Sequence, residues 1–142
     1  MKLWRISKFL ELNGAGGLQA AGRWHRIGRR VVYTAEHSAL ALLELLVQLE
    51  RRRAPPTYQL LEIEAPDDLA VVDFAGGAPA DTATSQAWGD EWLRAGSTAL
   101  AKVPSAIAPQ CFNYLINPAH DDAERIKLIE HGHYPWDLRL FR

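Results

Sequence analysis

One acidic residue, Glu44, interrupts the most apolar stretch of the chain, which covers residues 39–47. At helical spacing, residues 37–50 place leucine and valine side chains on the same face as Glu44 and on both neighbouring faces. Burying an unpaired carboxylate costs on the order of several kcal/mol. We therefore expect Glu44 either to pair with a cation or to face a polar cleft.

Four arginines precede this segment and could supply the cation: Arg23, Arg26, Arg29 and Arg30. In one interpretation, a structural ion pair ties the basic loop to the helix and has no chemical role. In the other, the arginines and the carboxylate form an anion-binding site in which Glu44 meets a developing positive charge. Residues 22–48 by themselves leave both interpretations open.

The basic loop also contains aromatic residues that could contact a ligand. Arg23 directly precedes Trp24, so a planar cation able to grip a phosphate lies beside a large aromatic face able to cover a ring. Tyr33 ends a short β-type run, and its hydroxyl needs a hydrogen-bond partner if it is buried. Ordinary core packing is the alternative for both aromatic residues.

A glycine-rich segment, NGAGG at residues 13–17, permits tight turns of the backbone. It contains neither GxGxxG nor the GK[ST] ending, so a mononucleotide P-loop is not predicted. We interpret it as a mobile loop near a site.

Composition narrows the class of protein. The chain has 142 residues, of which 48% are hydrophobic, and this fits one domain over residues 1–142 with a real core. A net charge of -1, from 16 basic and 17 acidic residues, gives no general attraction for nucleic acid. The only cysteine, Cys111, rules out an internal disulfide, and no Cys/His cluster has metal-ligand spacing.

The N-terminus and the apolar segment bear on localisation. Charges interrupt the first residues at Lys2, Arg5, Lys8 and Glu11, so no signal peptide is predicted. Residues 39–47 fall far short of the roughly 20 residues that span a bilayer. The sequence predicts a soluble cytoplasmic protein with no membrane partner and no direct nucleic-acid partner.

The rest of the chain shows apolar residues either in alternation, which is typical of strands, or at helical spacing. Strands are predicted at residues 2–7, 30–34, 57–64, 69–74, 98–103 and 111–116, and helices at residues 37–50 and 84–96. Arginines and prolines at residues 51–56 are typical of a helix end. The pattern predicts a mixed α/β (α+β) domain with central β-strands flanked by a few helices.

Nucleophile and metal sites find little support. Ser105 follows Pro104 after a predicted strand, but it does not lie in a GxSxG motif. No spacing ties His25 or His120 to this serine as a base. The pair His131 and His133 could bind a metal only with ligands from elsewhere, so no metal site is predicted.

Taken together, the residues singled out resemble the RES-domain family, the toxin half of bacterial RES–Xre toxin–antitoxin modules. The similarity covers almost the whole chain, in the blocks LWRIS, GRWHRIGRRVVYTAE, ALALLELLV, VPSAIAP and NYLINPAH. The family takes its name from an arginine, a glutamate and a serine, and the blocks match it in order and spacing. One departure is His25, which stands where asparagine is common after GRW.

The resemblance implies a fold similar to that of ADP-ribosyltransferase toxins and a cleft that binds NAD+ as substrate. It implies catalytic roles for Glu44, Tyr33, Ser105 and Arg23, NAD+ contacts for Arg5, Arg23 and Tyr33, and a mainly supporting role for Asn113. The position of Trp24 beside Arg23 adds Trp24 as an expected NAD+ contact. Breaking the nicotinamide–ribose bond passes through an oxocarbenium-like state, which a preorganised carboxylate can stabilise. We expect Glu44 to perform this task and an arginine to bind the pyrophosphate. Ser105 would donate a hydrogen bond to the nicotinamide amide or the ribose.

Acceptor and partners follow only from the resemblance. Relatives deplete NAD+ by hydrolysis or phosphorolysis, and some ADP-ribosylate a host protein; the sequence does not choose among water, phosphate and protein acceptors. The resemblance implies an Xre-type antitoxin that covers the active site, and it favours a homodimer within a larger complex. The rival hypothesis is a non-catalytic nucleotide-binding module with a structural Arg–Glu pair.

Overall fold

A single mixed sheet forms the centre of the protein in the computed structural model, which describes residues 1–49 and 57–141. Its strands are β1 (Lys2–Ser7), β2 (Val32–Ala35), β3 (Gln59–Glu64), β4 (Val71–Asp73), β5 (Leu100–Pro104), β6 (Phe112–Ile116) and β7 (Lys127–His133). Their spatial order is β4-β5-β6-β2-β1-β3-β7. Only β4 and β5 pair in parallel, and the other neighbours are antiparallel.

The described helices are α1 (Gly16–Gln19), α2 (Ser38–Leu46) and α3 (Thr82–Ala95), with short 3-10 helices at Asp121–Arg125 and Leu138–Phe141. Helix α3 forms the crossover between the parallel strands β4 and β5. It begins after Asp81, whose Oδ1 accepts from the Ala83 amide at 3.0 Å. It ends at Gly96, which takes the left-handed conformation at φ 63°. None of the described helices has the length and apolarity of a membrane span.

The two long helices pack on different parts of the sheet. Helix α3 places Trp92 against Ala101 and Val103 of β5 and Leu115 of β6. Helix α2 places Leu40 and Ala41 against residues of β1 and β2. A separate core cluster includes Leu3, Leu61, Ile63, Leu100 and Ile116. Successive residues of β5 and of β6 belong to different clusters, as the two-residue period of a strand requires.

The predicted mixed α/β architecture is confirmed, with central strands flanked by helices. Strand β7 was not predicted, and its side chains are almost all exposed, so the segment shows no apolar alternation. The predicted helix end at residues 51–56 lies outside the described part of the chain.

Helix α2 differs from its predicted form. It covers Ser38–Leu46, and only Leu40 and Ala41 are buried. Leu43 and Val47, predicted to share a buried face with Glu44, are 42% and 53% exposed. The helix therefore meets the sheet over a narrow apolar face, and Glu44 is half-buried beside an open cleft.

The centre of the sheet is open between two neighbouring strands. Strands β1 and β2 share a single register pair, Trp4 with Ala35, whereas β1 pairs with β3 along its whole length. The guanidinium Nη1 of Arg5 donates to the Tyr33 carbonyl of β2 at 2.8 Å, in the region where strand pairing is missing. A side chain thus replaces part of the ladder, and residues of both strands line a cleft.

A tight backbone approach fixes one wall of this cleft. Gly14 has φ +70°, and a Cβ built on it would lie 2.6 Å from the Val31 amide nitrogen, just before β2. Both the conformation and the contact require glycine. The glycine-rich segment is therefore packed against the start of β2, and the mobile loop predicted from its composition is held at this point.

Gly14→Ala should lower the free energy of unfolding by more than about 1 kcal/mol, because alanine is strained at positive φ and would collide with backbone. The matched control is Gly16→Ala, since nothing lies within 4 Å of a Cβ at Gly16. Urea unfolding of both variants measures the difference. Equal stability of the two variants would contradict the packing described.

Candidate active site

An open cleft of about 840 Å³ lies beside the gap between β1 and β2. This volume is within the range of roughly 300 to 1,000 Å³ that is usual for small-molecule and cofactor sites. Helix α2 contributes Ala41, Glu44 and Leu45, which share one helical face, and Gln48 borders the cleft just after the helix. Among the predicted site residues, the cleft is bordered by Arg5, Arg23, Trp24, Tyr33, Glu44 and Asn113.

Glu44 is held by Ser105. The Ser105 hydroxyl lies 2.7 Å from Oε1 of Glu44, although the two residues are 61 positions apart. The Ser105 oxygen also accepts from the amides of Ile107 and Ala108, each at 3.1 Å. Because both other contacts are N–H donors, the hydroxyl hydrogen is directed to the carboxylate.

The turn after β5 explains the position of Ser105. Strand β5 ends at Pro104, and the Ser105 amide donates to the Cys111 carbonyl at 2.9 Å, which closes the loop between β5 and β6. Ser105 is 7% exposed, while Pro104, Ala106 and Ile107 border the cleft. Ser105 therefore orients Glu44 from behind, and this geometry does not place its hydroxyl in direct reach of a ligand.

The expected ion pair between Glu44 and an upstream arginine is corrected by the structure. No arginine lies within salt-bridge distance of Glu44 in residues 1–49 and 57–141. Arg26 and Arg29 instead pair with Asp90 of α3, at 3.1 and 3.5 Å. Asp90 is only 7% exposed and also accepts a hydrogen bond from the Arg26 amide. It therefore holds this part of the basic loop through both side-chain and backbone contacts.

Arg5 is a partly buried cation that faces the cleft. Its Nη1 donates to the Tyr33 carbonyl, and its buried Nε has no hydrogen-bond partner among the described residues. Burial lowers the pKa of the guanidinium, although an arginine stays protonated at physiological pH. A desolvated guanidinium with no carboxylate beside it is suited to bind an anion.

Arg23 projects from a tight turn. The Gly22 amide donates to the His25 carbonyl at 3.1 Å, so Arg23 and Trp24 occupy the two central positions. The Arg23 side chain is exposed, borders the cleft and makes no ion pair within the described chain. Arg5 and Arg23 are thus two guanidinium groups on one cleft that have no acidic partner there.

Tyr33 anchors the same turn through its hydroxyl. The oxygen accepts from the Trp24 amide at 3.0 Å and lies 2.7 Å from Nδ1 of His25. Nε2 of His25 lies 2.9 Å from the Ala20 carbonyl, which can only accept, so neutral His25 carries its proton on Nε2. The Tyr33 hydroxyl therefore donates to Nδ1 of His25. Burial raises the pKa of Tyr33 well above its usual range.

Trp24 and Asn113 have structural contacts. The Trp24 indole is 3% exposed and packs edge-on against Phe74 and Trp88, so core packing accounts for it and no free ring face meets the cleft. The Asn113 amide donates to the Thr34 carbonyl at 3.3 Å, across the β2–β6 pair. Asn113 borders the cleft while fixing the strand that carries Tyr33.

Two residues of this site were not assigned a role from the sequence. His25 orients Tyr33, and its place inside the GRW block was the only signal available. Asp90 binds Arg26 and Arg29 although they lie 64 and 61 residues away in the sequence, and nothing in its local sequence indicates this.

One described cluster has metal-ligand residue types: Glu36, His37 and Cys111, with donor atoms within 4.8 Å of one another. Nδ1 of His37 accepts from the Leu40 amide as the N-cap of α2. Neutral His37 therefore carries its proton on Nε2 and has no second lone pair for an ion. These contacts fit a helix cap better than a metal site.

Comparison with known proteins agrees with this architecture. The family model described as the RES domain matches residues 2–137, and the chain therefore belongs to the RES domain family. The resemblance found in the sequence blocks is confirmed.

Relatives and a solved structure extend the comparison. A Toxin Res of Pseudomonas putida is 42% identical over 99% of this chain and 100% of its own length. A protein of Sphingobium, named Prs ADP-ribosylating toxin, is 40% identical over 93% of this chain and 88% of its own. One chain of the crystal structure of the M. tuberculosis MbcT-MbcA toxin-antitoxin complex matches the fold with a TM-score of 0.76, at 16% identity, covering 94% of this chain and 83% of that one.

Tyr33→Phe should lower the free energy of unfolding by about 2 kcal/mol, because the Trp24 amide and Nδ1 of His25 both lose their buried partner. Tyr58→Phe is the control, since the Tyr58 hydroxyl makes no hydrogen bond within the described chain. Urea unfolding at neutral pH measures both variants.

The pH dependence of stability gives a second test of Tyr33. Because its pKa is raised, the folded protein binds more protons than the unfolded chain above the ordinary tyrosine pKa of about 10. Stability contributed by the neutral phenol is complete below about pH 10 and is lost as the pH rises further. The wild type should lose stability more steeply there than Tyr33→Phe. Equal slopes would contradict the buried phenol.

Proposed function

We propose that this protein is the toxin of a toxin–antitoxin module and cleaves the nicotinamide–ribose bond of NAD+ in the cytoplasm. The observation that carries the proposal is Glu44: a half-buried carboxylate, bound to Ser105 and to no arginine of the described chain, in an open cleft. Arg5 and Arg23 border the same cleft without an acidic partner. The cleft is bordered by two arginines and two carboxylates, of which Glu11 is exposed and Glu44 half-buried. Glu44 and the arginines match a substrate with a cationic ring and a pyrophosphate.

The bond that breaks joins C1′ of the ribose to the ring nitrogen of nicotinamide. Its electron pair leaves with the ring, which becomes neutral nicotinamide, while positive charge develops on C1′ and the ribose ring oxygen. Glu44 would stabilise this charge as it forms, in the way a carboxylate does in glycoside hydrolysis. An acceptor oxygen then attacks C1′ and loses its proton to solvent.

A carboxylate without an arginine partner is better suited to this step than an ion-paired one. A guanidinium beside Glu44 would neutralise the charge that the transition state needs. Ser105 instead supplies one neutral hydrogen bond, which fixes the rotamer of Glu44 and leaves Oε2 for the substrate. We assign Ser105 to positioning and not to nucleophilic attack.

The arginines would bind the diphosphate. Arg5 is desolvated and fixed by its bond to the Tyr33 carbonyl, and Arg23 is more exposed, so Arg5 would be the deeper contact and Arg23 the outer one. Guanidinium groups bind phosphate oxygens through paired N–H donors. Tyr33 would border the nicotinamide with the ring edge that its hydroxyl contacts leave free, and Asn113 would support the same strand.

The acceptor of the ADP-ribosyl group would be water, phosphate or a host protein. The protein partner would be an Xre-type antitoxin that covers the cleft. One relative is named an ADP-ribosylating toxin, and one fold neighbour comes from a toxin–antitoxin complex. Both features are part of the proposal for this chain, together with a homodimer inside the larger complex.

Glu44→Gln should lower the rate of nicotinamide release from NAD+ by at least about a hundredfold, because an amide cannot stabilise the ribosyl cation as an anion does. Glu36→Gln is the matched control: Glu36 is also half-buried and accepts from the Phe112 amide, but it does not border the cleft. Wild-type rates in a folded Glu44→Gln protein would overturn the proposed chemistry.

The same assay distinguishes NAD+ cleavage from the rival hypothesis, and it distinguishes the three possible acceptors from one another. A nucleotide-binding module would bind NAD+ and release no nicotinamide, and the Arg–Glu pair on which that hypothesis rested does not form in the described chain. ADP-ribose alone as product indicates water, a phosphorylated product that requires added phosphate indicates phosphorolysis, and label from NAD+ in a protein of a cell extract indicates protein modification.

Arg23→Ala should raise the half-saturating NAD+ concentration about tenfold or more, because a charged contact to phosphate is lost. Arg30→Ala is the control, since Arg30 is exposed and does not border the cleft, and its side-chain hydrogen bond within the described residues goes to the Asn13 carbonyl. Equal values for the two variants would assign the phosphate contact to other residues.

A further inference from the structure

The turn that carries Arg23 is bonded along almost its whole backbone. The amide of Gly22 donates to the His25 carbonyl, and the amide of Trp24 donates to the Tyr33 hydroxyl. A Cβ on Gly22 would lie 2.5 Å from that hydroxyl, so the turn lies directly against Tyr33. These contacts fix the side of the turn that faces the sheet.

Helix α3 fixes the opposite side. The Ser85 hydroxyl donates to the Arg23 carbonyl, and Nε2 of Gln86 donates to the Gly22 carbonyl at 3.0 Å. One turn further along, Oδ1 of Asp90 accepts from the Arg26 amide at 3.1 Å. The bonds therefore come from the first half and the middle of α3 and reach three residues of the loop.

Gly89 lets the helix approach this closely. A Cβ on Gly89 would overlap the Trp24 carbonyl and come within 3.3 Å of the Trp24 Cβ. Ser85 and Gly89 are four residues apart and lie on the same helical face. The backbone of α3 therefore packs directly onto the turn, with no side chain between them.

The result is an exposed arginine on a fixed backbone. Arg23 makes no described ion pair, yet its own carbonyl and the peptide groups on both sides are bound. Fixing the backbone before the ligand arrives reduces the ordering that binding must supply. A ligand that binds Arg23 would therefore bind more tightly because of hydrogen bonds within the protein that hold the backbone of the turn.

We propose that Ser85, Gln86 and Asp90 of α3 are positioning residues that hold Arg23 ready for a pyrophosphate. The inference rests on the proposed function, because it specifies how one arginine of that site binds the diphosphate of NAD+. Gly89 permits the contact, Ser85 and Gln86 bind the peptide groups beside Arg23, and Asp90 holds the loop that follows through Arg26.

A double-mutant cycle on nicotinamide release tests this. Gln86→Ala and Ser85→Ala should each raise the half-saturating NAD+ concentration about threefold to fivefold while leaving kcat close to the wild-type value. In an Arg23→Ala background, the same changes should have no further effect, because they act through Arg23. Gln86 is half-buried, so Gln86→Ala is the milder variant should Ser85→Ala be poorly folded.

Glu91→Ala is the control on the same helix, since its side-chain hydrogen bonds go only to Arg94 of α3. It should leave both kinetic constants unchanged in either background. A merely structural role of Ser85 and Gln86 would lower stability and kcat by equal factors with and without Arg23, and that result would overturn the proposal.

Binding separates this inference from the proposed function. Should the wild type release no nicotinamide, the cycle is repeated with ADP-ribose binding by calorimetry. A coupling between Gln86 and Arg23 in ADP-ribose affinity then supports the positioning role without the chemistry. Turnover with additive effects, or the absence of both turnover and ADP-ribose binding, overturns the positioning role.

Discussion

The hydrogen bond from Ser105 holds the Glu44 carboxylate at the cleft without a charged partner in the described chain. A carboxylate close to several arginines would ordinarily take one of them as a partner. Here Asp90 pairs with Arg26 and Arg29, and Glu44 is held by a neutral hydroxyl. Because the acids and bases are divided in this way, Glu44, Arg5 and Arg23 border the cleft without ion-pair partners in the described chain. Under the proposed function, the substrate would supply the opposite charges.

The fold maintains this separation through its sheet. Strands β1 and β2 meet at one register pair and then leave a gap, which Arg5 enters with its guanidinium. Helix α2 brings Glu44 to one side of the opening, and the loop after β5 brings Ser105 behind it. The turn at Gly22 is held between Tyr33 and α3. Groups far apart in the chain thus meet at this cleft because hydrogen bonds to the backbone, as for Arg5, or to another side chain, as for Glu44, hold each of them in place.

Much of the fold could be predicted from periodicity, whereas the pairing of charged residues could not. Strands with one buried face, such as β3, can be predicted because apolar and polar residues alternate in their sequence. The edge strand β7 exposes nearly every side chain, so its sequence shows no such alternation. The residue types of the site followed from the family resemblance. Their partners did not: Arg26 is one of four arginines that the sequence offers as a partner for Glu44, while its actual partner Asp90 is 64 residues away. The position of Trp24 beside Arg23 likewise predicts an aromatic ring that covers a ligand, yet the turn directs its indole into the core.

The most direct test is whether Ser105 acts only through Glu44. The rate of nicotinamide release at saturating NAD+ is measured for Ser105→Ala, Glu44→Gln and the double variant, each confirmed to be folded. The account predicts that Ser105→Ala slows the wild type and produces no further slowing once Glu44 is glutamine. Multiplicative effects in the double variant, or a ribosyl adduct on Ser105 detected by mass spectrometry, would contradict it.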